Sequence, residues 1–236
     1  MKVLSKVRVF GLPDSVEASK YPMAVDVDDV NDEITDTTRK LGSAKIGSGH
    51  DNFLNGIVVQ FNLTFTVKAW TEAERYHFFD FVSSQSTMHR ITKFDLDKAY
   101  IDYVDPRIVE IMKEKVAEYN KNPNPEKYLE ILYSNPTGFR LTARMTTNYR
   151  QLKTIVVQRS NHRLPEWRWF CEEIMELPHF KELCFSNHKY AMVTDINNTT
   201  VEIEVSEDAY RNAGRILLKQ ENSNYGTLYY PDGGEG

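Results

Sequence analysis

The chain has 236 residues, of which 41% are hydrophobic, 12% aromatic and 27% charged. This apolar content is too high for a disordered chain, and no run approaches the roughly 18 apolar residues that span a bilayer. No charged segment leads into an apolar one at the N-terminus, so no secretory signal is expected. A net charge of −5 argues against broad nucleic-acid binding, although a local cationic face including Arg140 and Arg144 stays open. Two cysteines, Cys171 and Cys184, are too few for a disulfide framework, and a reducing cytoplasm is the expected location.

Residues 2–10 are β-branched and aromatic at their apolar positions and end at Gly11-Leu12-Pro13, which predicts a strand. Residues 14–28 read as loop. Val30, Ile34 and Leu41 predict a short helix over 29–41, and Gly42, Gly47 and Gly49 a flexible loop. Residues 57–67 alternate apolar and polar side chains, the pattern of a strand with one buried face. Residues 70–82 predict a helix with Thr71 as its N-cap, followed by an irregular, hydroxyl-rich stretch over 83–90. An amphipathic helix over 107–120 is broken by Asn122-Pro123-Asn124-Pro125, and a shorter helical piece follows over 126–133. Residues 139–147 alternate again, 148–159 return to helical spacing, and Pro165 opens a further helix to 177. Residues 190–195 and 199–205 read as a hairpin around Asn197-Asn198, with a helix over 206–220 and a mobile tail over 222–236. Strands and helices mixed without βαβ regularity predict an α+β fold, a mixed or antiparallel sheet flanked by helices. The predicted organisation is one α+β domain over 1–185 and an appended hairpin, helix and tail over 186–236.

Three segments carry candidate chemistry. In 148–163, Arg150 and Arg159 stand nine residues apart on a helix, and therefore on opposite faces. Arg159-Ser160-Asn161-His162-Arg163 gathers potential cations at the helix end, a set suited to phosphate or an anionic base. The alternative is a set of solvated or ion-paired surface arginines. In 83–90, Ser83, Gln85, Ser86 and Arg90 offer hydroxyls and a guanidinium for a phosphate, or simply a polar loop. In 49–56, His50 beside Asp51 suits base chemistry or metal binding, or simply a capped turn. No His, Cys and carboxylate set has metal-ligand spacing, so no metal is expected. The aromatic surroundings of Cys171 favour a buried thiol over a nucleophile.

In this order the segments resemble flavin-dependent thymidylate synthases. His50 and Phe53 before strand 57–67 are similar to that family's early histidine loop and strand. Thr146-Thr147-Asn148-Tyr149-Arg150 resembles its Asn-x-Arg strand end. Arg159 to Arg163, followed by Pro165-Glu166-Trp167-Arg168, resembles the closing arginine and its Gln-Trp-Glu-type segment. The family's Arg-His-Arg signature is replaced, in the register that puts its first serine on Ser83, by Phe78-Phe79-Asp80. The similarity covers roughly residues 45–180.

The resemblance implies a flavin-dependent thymidylate synthase-like fold and a set of ligands: FAD, dUMP, methylenetetrahydrofolate and NADPH. The implied reaction transfers a one-carbon unit to C5 of the pyrimidine, dUMP to dTMP, without a cysteine nucleophile. A hydroxymethylated product, or a non-catalytic nucleotide-binding protein without flavin, are the alternatives raised by the altered signature. Arg159 is then the catalytic residue, holding the uracil carbonyl. Ser83, Gln85, Ser86, Arg90, Arg159 and Arg163 form the nucleotide set, and His50, Asn148, Arg150 and His162 the flavin set. A homotetramer with sites shared between chains is implied too, with neither membrane nor nucleic acid as partner.

Overall fold

The computed structural model describes residues 1–186, 189–194, 200–205 and 228–229. Strand β1 (Leu4–Phe10) stops at Gly11, whose φ of 68° turns the chain into helix α1 (Leu12–Ala18) with a proline in its first turn. A Cβ at Gly11 would also run into the Gly56 carbonyl, so space and backbone angle both demand glycine. Helix α1 lies where the sequence reads as loop. Helix α2 (Asp36–Gly42) starts later than expected because Thr35 caps it. The Thr35 hydroxyl accepts from the Thr38 N–H at 3.2 Å, and the Thr38 hydroxyl accepts from the Thr35 N–H at 3.4 Å.

Strand β2 (Val58–Thr66) keeps the predicted alternation, with Val59, Phe61, Leu63 and Phe65 fully buried and Gln60, Asn62 and Thr64 half-buried on the other face. Thr66 ends it and caps helix α3 (Val67–Ala73), accepting from the Ala69 N–H at 3.1 Å. The helix expected over 70–82 is thereby corrected. It begins a turn earlier and ends at Ala73, and the Thr71 hydroxyl donates within it to the Lys68 carbonyl. Phe78 then takes a left-handed φ of 56°, which breaks the helical path. Residues 80–84 become strand β3 (Asp80–Ser84), pairing Phe81 with Met145. A short run such as Phe78 to Val82 has no period that separates strand from helix.

The stretch 83–90, expected to be irregular, finishes β3 and forms the short helix α4 (Thr87–Arg90). Helices α5 (Leu96–Ala99), α6 (Pro106–Lys121) and α7 (Pro125–Ser134) follow. Asp105 and Asn124 cap the latter two, each just ahead of a proline. Strand β4 (Arg140–Asn148) runs directly into helix α8 (Tyr149–Arg159), and α9 (Pro165–Met175) and α10 (Phe180–Phe185) follow. The expected hairpin is present as β5 (Lys189–Thr194) and β6 (Thr200–Val205), with a short β7 (Leu228–Tyr229) beside β5. Its turn, the helix expected over 206–220 and the tail outside 228–229 lie beyond the described residues.

The chain divides into two compact units, residues 1–33 with 52–180, and residues 34–51 with 181–236. The first is built on an antiparallel sheet ordered β1-β2-β4-β3. Its core face packs Phe61 and Phe65 against Trp167 and Phe170, with Phe65 and Trp167 ring centroids 4.8 Å apart. A further cluster under α5, α6 and α7 contains Ile91, Tyr100, Met112, Ile131 and Phe139. At the β1 edge the backbone N–H groups of Val3 and Leu4 donate to the Glu173 carboxylate at 2.5 and 3.1 Å. In the second unit, β6-β5-β7 form an antiparallel sheet, and Arg39 donates to the Glu182 carboxylate through Nε at 2.8 Å.

Candidate active site

The strand-to-helix junction is built locally. Asn148 is the last residue of β4, and its carboxamide oxygen accepts from the Gln151 N–H at 2.9 Å, so the side chain that ends the strand also starts α8. Tyr149 is fully buried against Phe180, at 5.0 Å between ring centroids. This anchors the helix and leaves Arg150, one residue on, half-buried.

Arg159 closes the same helix and turns inward, with 6% of its surface exposed. Its Nε donates to the Tyr76 hydroxyl at 2.7 Å, Nη2 lies 3.6 Å from the Glu72 carboxylate, and the guanidinium carbon sits 5.1 Å from the Trp167 ring centroid. Burial pushes the Glu72 carboxyl up, but the Lys68 hydrogen bond and the charges of Arg75, Lys68 and Arg159 outweigh it and hold it below the usual range. Sequence reasoning missed Glu72 and Tyr76 as partners, because the helix expected there hid the turn that carries Tyr76 to Arg159.

The loop after α8 is tied from below. Arg168 donates to the carbonyls of His162 and Arg163 at 2.6 and 3.1 Å, and the His162 Nδ1 accepts from the Leu164 N–H at 3.2 Å. Burial, then the positive charge of Arg159, lowers the His162 pKa. Arg163 is exposed.

The hydroxyl-rich segment is divided between two clefts. Ser83 and Gln85 line a cleft of about 480 Å³ with Asn62, Thr142 and Arg144 on the polar sheet face. There Arg144 donates to the Lys6 carbonyl at 2.7 Å and to Gln60 at 3.2 Å, and the Gln85 side chain accepts from the Thr142 N–H at 2.9 Å. Arg90 lines a different groove, with Lys93, beside α6 and α7. Ser86 is the N-cap position of α4 and makes no side-chain cap bond.

His50 is exposed and belongs to the second unit. Both cysteines are buried, and burial raises the Cys171 thiol to about 12. Among the described residues no three metal-binding side chains come together, and no helix is long and apolar enough to cross a membrane.

No family model and no curated protein matches the chain. Solved structures do. A flavin-dependent thymidylate synthase, ThyX from Helicobacter pylori, complexed with FAD and dUMP, matches at 14% identity with a TM-score of 0.60, over 79% of this chain and 99% of that one. A second structure of Helicobacter pylori ThyX with FAD and dUMP matches at 13% identity and a TM-score of 0.61, over 79% and 98%. The UMP/dUMP methylase PolB from Streptomyces cacaoi, bound with 5-Br UMP, matches at 12% identity and a TM-score of 0.54, over 79% and 95%. These likenesses establish the class: the chain has the α+β fold of flavin-dependent thymidylate synthases.

In the register that puts the family's first serine on Ser83, residues 78–80 take the place of its Arg-His-Arg signature. Phe79 is buried among Phe61, Tyr76 and Phe170, at ring-centroid distances of 6.2, 6.4 and 5.8 Å. Phe78 and Asp80 are exposed. The stretch thus offers a phosphate no cationic donor and sets a carboxylate there instead. The donor types at Asn148 and Arg150 suit such a group, and those at 78–80 do not.

Proposed function

We propose that this chain binds a deoxypyrimidine monophosphate and transfers a one-carbon unit from methylenetetrahydrofolate to its C5, dUMP to dTMP, with FAD as flavin and NADPH as reductant. The supporting observation is the fold itself, matched over nearly the full length of chains solved with FAD and dUMP. The retained Asn148-x-Arg150 junction, with Arg159 at the far end of the same helix, agrees with it. In this reading Arg159 exchanges its bond to Tyr76 for a pyrimidine carbonyl. Arg163 adds charge at the loop, and the resemblance assigns Asn148, Arg150 and His162, and separately His50, to flavin contact. Four chains sharing their sites, in the cytoplasm, belong to the same reading.

A second reading, a nucleotide-binding or oligomeric protein without flavin chemistry, is favoured by a specific observation. The Arg159 guanidinium already has partners inside its own chain, and the Ser83 register puts Phe79 and Asp80, not cations, at the signature. The visible spectrum of the purified chain decides. A flavin spectrum, with dUMP converted to a C5-methylated product, supports the first reading. A colourless protein that FAD does not reconstitute, yet binds dUMP, overturns it in favour of the second. Mass analysis of the product separates methyl from hydroxymethyl.

A further inference from the structure

Arg159 is short of hydrogen bonds for so buried a cation. The Tyr76 hydroxyl takes its Nε–H, but Nη2 stands 3.6 Å from the Glu72 carboxylate, beyond hydrogen-bond reach. Among the described contacts neither Nη1 nor Nη2 makes a hydrogen bond. Charge and ring faces hold the rest of the group. The guanidinium carbon lies 5.5 Å from the Tyr76 ring centroid as well as close to Trp167, and those two rings meet edge-on at 5.8 Å.

The Tyr76 hydroxyl, by contrast, is bonded on both sides. It accepts from Arg159 Nε at 2.7 Å and donates to the Gln158 carboxamide oxygen at 3.0 Å, which aims its lone pair at the guanidinium. Gln158 and Arg159 are consecutive at the end of α8, so one helix end supplies both partners. Tyr76 itself lies outside helix and strand, between Ala73 at the end of α3 and Asp80 at the start of β3. Buried Ala73 and Phe79 anchor this stretch at its two ends, and residues 74, 75, 77 and 78 are exposed. A half-buried ring carried on such a turn swings while both anchors stay packed.

We propose that Tyr76 is a latch on Arg159: its hydroxyl holds the place of a ligand oxygen, and a ligand binds by displacing it. The phenol oxygen is a neutral acceptor. An oxygen that carries negative charge binds guanidinium more strongly, so the latch yields to an anionic pyrimidine oxygen more readily than to a neutral one. The displaced hydroxyl is not stranded, because it keeps exposed Gln158 and gains water. Without ligand the buried cation is closed off by its own chain, and opening it subtracts from the affinity of whatever binds. The inference rests on the reading of Arg159 as a contact to the nucleotide base, and adds the residue that regulates that contact.

Calorimetric titration of the full chain with dUMP tests it. Tyr76→Phe keeps the ring and removes the competing oxygen. It is expected to bind dUMP about two- to tenfold more tightly while melting at a lower temperature, since the Arg159 Nε–H loses its acceptor. A role in packing alone gives the lower melting temperature without the tighter binding. Adding Arg159→Lys to Tyr76→Phe is expected to abolish the gain. Gln158→Ala, at an exposed position, frees the hydroxyl to turn away, and is expected to tighten dUMP by a smaller factor. It decides the matter where Tyr76→Phe does not fold. Equal or weaker dUMP binding by the folded variants overturns the latch while the nucleotide reading stands. Absence of dUMP binding by the unaltered chain and by both single variants overturns the nucleotide reading, and the latch with it.

Discussion

Arg159 and Trp167 are stacked in the interior, the guanidinium carbon 5.1 Å from the ring centroid, although one residue ends α8 and the other lies in the first turn of α9. A side chain held this way contributes to the fold as well as to any ligand. Arg159→Ala is therefore expected to cost about 1–3 kcal/mol, through the lost ring contacts and the Tyr76 hydroxyl left without its donor. Arg159→Lys keeps the charge but not the planar stack, and should fall between. Urea unfolding measures both. A fully stable Arg159→Ala chain that has lost dUMP turnover would show that its role is toward the ligand alone.

His162 gives the fold a pH dependence on the acid side. Its pKa is depressed by burial first and by Arg159 second, so the folded state favours the neutral ring. Stability from this group is fully present above the ordinary value of 6.5 and is lost as pH falls through the lowered one. Imidazole proton NMR should show the His162 resonance titrating below 6.5. His162→Gln should lessen the drop in melting temperature below pH 6.5. A His162 resonance titrating at or above that value removes the basis for this.

On the alkaline side the sign reverses. Burial moves the Cys171 thiol from 9.0 to about 12 and the Tyr100 phenol from 10.0 to about 12. Both contributions are intact below the unfolded values and disappear as pH climbs toward 12. Melting temperature should fall over that window, less steeply in Cys171→Ala. Cys171 should also ignore a disulfide reagent at pH 8 until the chain is denatured. Rapid labelling of Cys171 in the native state would contradict its burial.

Gly138 sits where a side chain has no room. A Cβ there would run into Val104 Cγ2 and lie 3.3 Å from Ile101 Cγ2, beside the hydrogen bond from the Ile101 N–H to the Gly138 carbonyl. Gly138→Ala is expected to destabilise by about 1–3 kcal/mol, the range for overpacking. Adding Val104→Ala should recover part of that loss, and a double-mutant cycle by urea unfolding measures the coupling. Strict additivity of the two changes would place the strain elsewhere.

The parts of this architecture legible in the sequence are those set by local periodicity. Alternation from Val59 to Phe65 gave β2 and its buried face, and the step from alternation to helical spacing at Asn148 gave the β4–α8 junction. Amphipathic spacing over 107–120 and the Asn122-to-Pro125 break after it marked α6 and α7. What was hidden depends on distant partners. Phe81 becomes strand only because Met145 lies opposite it. Thr66 outcompeted Thr71 as cap because the strand ends there. The inward turn of Arg159 needs Tyr76, more than eighty residues earlier in the chain, and no local pattern links the two. Lys93 and Tyr128 likewise meet across one groove through tertiary packing alone.

The edges of the four-stranded sheet bear on how this protein meets other chains. At one rim, Glu173 occupies the N–H groups of Val3 and Leu4, and the register slips between Ser5 and Arg8. At the other, Asp80 opens β3 and the register slips again between Phe81 and Ser83. Charges and bulges of this kind blunt strand-to-strand recruitment. A second copy cannot readily lengthen the sheet from either side. Among the described residues, the four-stranded sheet therefore turns its helices and polar face, rather than its edges, to a neighbouring chain.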